Sequence, residues 1–360
     1  FSTIDWLRNW PCARRAGMGT KLPWDKEWIV ETLSDSTIYM AFYTINHYIN
    51  AGKVRTEQLS PELFDYVFHG KGSASHVSRS SGIDPKLLSA MRNEFLYWYP
   101  VDLRNSAKEL IPNHLTFFAF HHAALFGKEQ WPRGFSVNGM IQIEGQKMSK
   151  SRAIFVTWRE ALEEYGADAL RATLSLAADG MDDADWKTKN AEDMRDKVDS
   201  LFPFIEKSLK DSVKRQPDHL DRWLFSLING RISGVTSSLE EMKIRRALSI
   251  ALLDVWNDVR WYLRRSKNPR RQTLSAVFEA WIRLLSPFIP FAAEELNRKM
   301  GNKGLISIAD WPSGKDFQVD QAAEISELLL AEVVADARNL LKIIKEPKKR
   351  LNVYVPSDSA

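Results

Sequence analysis

Hydrophobic positions along the chain follow two rhythms, and the change between them falls near Trp186. Ahead of it, apolar helical stretches alternate with short strand-like runs. Residues 36–49 (STIYMAFYTINHYI) read as a buried helix after the breakers Gly17, Gly19 and Pro23, with Ser34 or Asp35 placed to cap it. The spacing that follows Pro85 (KLLSAMRNEFLYWY) predicts a second helix stopped by Pro100, and residues 110–126 a third closed by Gly127. Residues 99–105 read as a short strand and turn, and 134–145 as a Gly-bounded strand or hairpin. Residues 70–82, rich in Gly, Ser and His without periodicity, read as a surface loop. Strands alternating with helices argue for part of a parallel α/β sheet.

After Trp186 the period is helical almost throughout. Leu220, Leu224, Leu227 and Ile228 recur on one face, as do Leu248, Leu252, Val255, Val259 and Tyr262. Segments 191–214, 218–240, 244–266, 271–299 and 321–345 all read as amphipathic helices, so the second part is a helical bundle. The fold class is therefore α/β followed by all-α. Its expected parts are 1–188, 189–346, and a linker or start of a further segment at 347–360.

Composition changes this picture little. At 360 residues the chain has room for two domains. No apolar run approaches the roughly 20 residues of a membrane-spanning helix, and the first residues do not resemble a signal peptide. Cys12 is alone, which excludes an internal disulfide and a Cys-pair zinc site and fits a reducing cytoplasm; no metal site is expected. The net charge of +4 is modest, but its distribution is uneven. Arg264, Arg265, Lys267, Arg270 and Arg271 form one basic cluster, and Lys345, Lys348, Lys349 and Arg350 another. Such clusters can neutralise the phosphates of a nucleic acid, and they equally describe a solvated helix end. The acidic run 179–185 would repel phosphate and reads as structural.

The sharpest chemical signal is Lys147-Met148-Ser149-Lys150-Ser151, preceded by Glu144-Gly145-Gln146. Two lysines within four residues on a Gly-hinged loop can close over a triphosphate. Attack at the α-phosphorus builds charge on the departing pyrophosphate, and mobile ammonium groups can meet that charge in the transition state. The serines can donate to phosphate oxygens or cap the next helix.

This motif, KMSKS, resembles the second signature of class I aminoacyl-tRNA synthetases. GADALR (Gly166 to Arg171), Ala184-Asp185-Trp186 and LLSPFIPFAAEEL (Leu284 to Leu296) resemble that family's junction and anticodon-binding helices, so the likeness runs to about residue 350. Within the family, DWLRNWPCARRAGMGTKLPW and ETLSDSTIYMAFYTI look like the leucine enzymes of archaea and eukaryotic cytosol. The fold implied is the second half of a Rossmann-like catalytic domain followed by an anticodon-binding bundle.

The resemblance implies roles residue by residue. Leu33, Ser36 and Tyr39 would line the amino-acid pocket, although their spacing alone describes the buried face of a core helix. SAKELIPNHL matches the ribose-binding turn: Ser106 and Ala107 would let the backbone approach the nucleotide, Glu109 would accept from the ribose hydroxyls, and His114 would stand beside them or serve as a core histidine. Gly139, Met140 and Ile141 would face adenine, and Lys147, Met148, Ser149, Lys150 and Ser151 the triphosphate, with Lys147 and Lys150 catalytic. The 264–271 cluster would bind tRNA by phosphate contacts. The substrates implied are leucine, ATP with Mg²⁺, and tRNA(Leu).

The first signature of the family, His-x-Gly-His, does not occur among the seven histidines, and the editing insertion and C-terminal tRNA-contacting domain have no counterpart. The expectation is thus a fragment, a split subunit needing an N-terminal half, or a reduced, non-catalytic tRNA-binding paralogue. The LSDSTIYM segment argues against isoleucine, valine or methionine as substrate, although pocket residues alone would not exclude them, since one methylene is worth only about 1–3 kcal/mol.

Overall fold

A computed structural model describes residues 2–7, 12–148, 156–343 and 352. The chain divides into two compact units, one comprising Phe1–Met140 with Gly180–Asp182 and the other Ile141–Asp179 with Asp183–Ala360.

In the first unit, helices Tyr39–Asn50, Ala74–Ser81 and Pro85–Trp98 enclose a core of Ile45, Leu63, Val67, Leu88, Met91 and Phe95. Strand Arg104–Ala107 pairs in parallel with Phe135–Asn138, and helix Thr116–Leu125 makes the crossover. Three local expectations are corrected. The stretch read as a loop contains helix Ala74–Ser81: Ser73 accepts from the His76 N–H at 3.2 Å, Val77 buries one face, and Gly82 at φ 69° ends it. Its single apolar anchor is too little for a periodic signal. Neither Ser34 nor Asp35 caps the following helix; both belong to a short helix, Thr32–Asp35, capped by Glu31, and the longer one begins at Tyr39 without a side-chain cap. The helix read from residue 110 starts as a π-turn, Ile111–Leu115, before Thr116.

In the second unit, strand Ile141–Ile143 pairs antiparallel with Gln146–Lys147 and parallel with Ala184–Trp186. The 134–145 run is therefore two strands in separate sheets. Helices Thr188–Lys210, His219–Glu240, Val255–Arg265, Arg271–Leu285, Pro290–Lys299 and Gln321–Ile343 form the bundle. The segment 244–266 is interrupted by a π-turn at Ser249–Asp254, and 271–299 is broken where Pro287 and Pro290 stand. Trp281 is 1% exposed and its indole N–H donates to the Ala251 carbonyl at 2.6 Å; truncating it to Ala would cost about 3–5 kcal/mol. Ala161, Tyr165, Leu170 and Trp186 share this core with the bundle helices. Compactness thus divides the chain after Met140, whereas the change of periodicity falls near 188.

Candidate active site and nucleic-acid face

The signature motif begins on a hairpin. Gln142 lies opposite Lys147 and Ile143 opposite Gln146, across the turn Glu144-Gly145. Both turn residues have positive φ, 49° and 74°, the type I′ geometry whose twist matches its flanking strands. Three hydrogen bonds fix the turn. The Glu144 N–H donates to the Trp186 carbonyl at 2.9 Å, the Gly145 N–H donates to Asp185 Oδ1 at 2.7 Å, and Glu144 Oε1 accepts from the Thr188 N–H at 3.0 Å. Lys187, preceding helix Thr188–Lys210, supplies no side-chain cap, so the hairpin turn supplies one. Asp185 and Asp179, which accepts from the Arg245 N–H at 2.8 Å, give the acidic run a structural use.

Lys147 stands exposed at the end of this hairpin. Met148 lines an apolar cavity of about 120 Å³ with Ile141, Ile143, Val156, Leu170 and Trp186. Ser149, Lys150 and Ser151 lie outside the described residues, as do Lys345, Lys348, Lys349 and Arg350.

In the first unit, Ser106 pairs with Val137 and Ala107 with Asn138, so both parallel strands end together. Glu109 and the pair Gly139-Met140 follow those ends, the position where open parallel sheets take ligands. Glu109 is exposed and makes no ion pair among the described residues. Gly139 is partly committed: its N–H donates to the Gly180 carbonyl at 3.2 Å, and its carbonyl accepts from Asn138 Nδ2 at 2.8 Å. Ile141 begins the strand that pairs with Ala184–Trp186.

His114 is buried. Its Nε2 lies 3.3 Å from Arg104 Nη2 and its Nδ1 lies 3.3 Å from the Leu33 carbonyl. A guanidinium can only donate, so Nε2 accepts and Nδ1 carries the proton that it donates to Leu33. Burial above all holds the His114 pKa below the usual histidine range; the Leu33 carbonyl opposes this and the Arg104 charge adds to it. The Arg104 guanidinium carbon lies 5.8 Å from the Tyr39 ring centre and 6.0 Å from that of Phe118. Tyr39, Phe118 and His114 are thereby gathered around Arg104, with the Leu33 carbonyl on the far nitrogen of His114; sequence reasoning passed Arg104 over. Ser36 does not join them: it is exposed, closes the Thr32–Asp35 helix, and donates its hydroxyl to the Thr32 carbonyl at 2.9 Å.

The basic cluster of the bundle separates into two sets. Arg265 is paired with buried Glu327 through Nε at 3.0 Å and Nη2 at 3.1 Å. Arg270 donates to the Arg215 carbonyl at 2.9 Å and to Thr273 Oγ1 at 3.2 Å. These two hold the bundle together. Arg264, over the Trp261 ring at 5.4 Å, together with Lys267 and Arg271, is exposed. Among the described residues no group of three or more His, Cys, Asp or Glu is arranged to hold a metal, and no helix is long and apolar enough to cross a membrane.

Comparison with known proteins follows these same landmarks. The family description "tRNA synthetases class I (M)" matches residues 94–207, and "Anticodon-binding domain of tRNA ligase" matches residues 221–355. The leucine–tRNA ligase of Pyrococcus horikoshii is 40% identical over 99% of this chain, and that of Archaeoglobus fulgidus is 40% identical over 98%. The chain is a homologue of leucine–tRNA ligase. It spans 38% and 37% of the length of those two relatives. A solved ternary complex of Agrobacterium radiobacter K84 LeuRS, tRNA and LeuAMS shares the fold, with a TM-score of 0.58 at 19% identity over 85% of this chain and 36% of that one.

Two stretches distant in the sequence, each carrying part of the leucine–tRNA ligase likeness, are found in contact. Asp168 of GADALR accepts from the N–H groups of Phe291 and Ala292, within the LLSPFIPFAAEEL stretch. Arg171 donates to the Pro287 carbonyl at 2.7 Å and to the Phe288 carbonyl at 3.1 Å. The two sequence signatures of this leucine–tRNA ligase homologue are therefore the two sides of one joint.

Proposed function

We propose that the chain supplies the C-terminal part of the catalytic domain and the anticodon-binding domain of a leucine-activating enzyme. The observation that carries this reading is the hairpin on which the KMSKS motif begins, tethered at Glu144 and Gly145 and presenting Lys147 to solvent. In the reaction, a carboxylate oxygen of leucine attacks the α-phosphorus of ATP. The bond from that phosphorus to the bridging oxygen breaks, and pyrophosphate leaves with Mg²⁺. A terminal ribose hydroxyl of tRNA(Leu) then attacks the adenylate carbonyl and AMP leaves. Lys147 and Lys150 stabilise the pyrophosphate as its charge develops. Glu109 receives the ribose hydroxyls, Ser106 and Ala107 admit the nucleotide, and Met140 and Ile141 flank adenine. Leu33 and Tyr39 shape the leucine pocket. Ser36 and Gly139 have the weaker claims, given their local hydrogen bonds. Arg264, Lys267 and Arg271 meet tRNA phosphates.

The test is leucine-dependent ATP–pyrophosphate exchange, on the chain alone and mixed with an N-terminal half that carries His-x-Gly-His. Exchange that appears in the mixture and is lost with Lys150→Ala supports the synthetase reading. No exchange with both halves folded and tRNA binding retained would instead make the chain a tRNA-binding module.

A further inference from the structure

Arg104 combines properties that a structural arginine does not. Its Nε is buried and makes no hydrogen bond. No carboxylate among the described residues pairs with it, and the polar contact of its side chain is with the neutral Nε2 of His114. Two aromatic faces, Tyr39 and Phe118, stand near the guanidinium. Arg104 is half-buried, and a guanidinium partly shielded from water without a counter-charge keeps an unmet preference for one, which aromatic faces and a neutral imidazole satisfy only in part. An anion would complete the arrangement.

We propose that Arg104 is the anion-binding residue of the cluster that links it to Tyr39, His114 and Leu33, and that its ligand is a substrate oxyanion, the α-carboxylate of leucine. This rests on the leucine-activating reading above. The planar fork of a guanidinium matches a carboxylate, whereas a lysine offers a point charge. With one carboxylate oxygen held by Arg104, the other is oriented for attack while the aliphatic side chain lies toward Leu33 and Tyr39. His114, neutral and fixed by the Leu33 carbonyl, orients the guanidinium without competing for the anion. The α-phosphate of ATP offers the same chemistry from a second source.

Arg104→Gln and Arg104→Lys, in the chain paired with the His-x-Gly-His half, test this. Exchange is measured against leucine and ATP, with leucinol, which lacks the carboxylate, as inhibitor. Arg104→Gln raises the leucine KM by about 10- to 100-fold, the scale of one charge-assisted hydrogen bond, and leaves leucinol inhibition and the ATP KM unchanged. Arg104→Lys recovers part of the loss. A rise in the ATP KM alone keeps the anion site and assigns it to the phosphate. Equal weakening of leucine and leucinol, or no change in either, overturns the proposal, the former making Arg104 a packing residue. A wild-type pair that does not respond to leucine refutes the underlying reading instead. Calorimetric titration of leucine and leucinol into wild type and both variants then decides the Arg104 question without turnover.

Discussion

The carboxylate of Asp168 accepts the backbone N–H of Ala292 at 2.6 Å, capping helix Pro290–Lys299 from a helix 124 positions earlier in the chain. The cap residue of that helix, Ile289, has no side-chain acceptor, so the cap is borrowed across the core. Asp168→Ala should destabilise the second unit by about 1–2 kcal/mol, and Asp168→Asn by less because an amide oxygen still accepts. Urea denaturation followed by tryptophan fluorescence measures both. Combined with Arg171→Ala the losses should be less than additive, since both residues close the same joint.

Gly145 tests the signature hairpin. A Cβ built there would meet nothing within 4 Å, so Gly145→Ala changes only the cost of holding φ at 74°. About 1–2 kcal/mol of local strain is expected, with Asn better tolerated than Ala. On the proposed transition-state role of Lys147 and Lys150, the exchange kcat of the chain paired with the His-x-Gly-His half should fall while the leucine KM holds. A change confined to the leucine KM would contradict that assignment.

Glu327 ties helix Gln321–Ile343 to the bundle. Burial opposes its ionisation most strongly, but hydrogen bonds from Arg265, Trp261 and His219 together outweigh it and hold its pKa below the usual glutamate range. With the folded value lowered, the unfolded chain binds the extra proton, so stability from this group is present above the ordinary glutamate pKa. It is lost as pH falls through the folded value. Glu327→Gln should cost about 1.5–3 kcal/mol at neutral pH. The gap from wild type should close on acidification below the glutamate range, as denaturant midpoints measured across that range would reveal.

The split of the basic cluster predicts two phenotypes. Replacing Arg264, Lys267 and Arg271 by Ala should leave stability nearly unchanged and lower the salt dependence of tRNA affinity by a slope of about 2–3. Arg265→Ala should instead destabilise the bundle through Glu327. Equal slopes for the triple variant and wild type would remove this face from the tRNA contact.

Periodicity carried most of the bundle, because a helix that buries one face writes its apolar residues three and four apart. KMSKS was legible because its chemistry is local. The helix at Ala74–Ser81 was not: it is set by a serine cap and a glycine stop around one buried valine. The Asp168 cap was invisible for another reason, since nothing in the sequence near 290 announces an acceptor from 168. Arg104 was missed because a lone arginine opening a strand reads as solvent-facing, and only the tertiary arrangement surrounds it with Tyr39, His114 and Phe118. Ser36 shows the converse, a residue at suggestive spacing that spends its hydroxyl on its own backbone.

The proton on His114 Nδ1 offers a spectroscopic handle. Imidazole in water favours the other tautomer, so selective ¹⁵N labelling should find the ring nitrogens of His114 in inverted order, along with those of His122, whose Nδ1 donates to the Phe118 carbonyl at 2.8 Å. An anion held by Arg104 would alter the hydrogen bond that Arg104 donates to His114 Nε2 and shift that nitrogen. His122, bonded instead to the Tyr99 hydroxyl at 3.2 Å, would serve as the built-in standard. One imidazole would thus report an anion on Arg104 from within the cluster, without a label in the ligand.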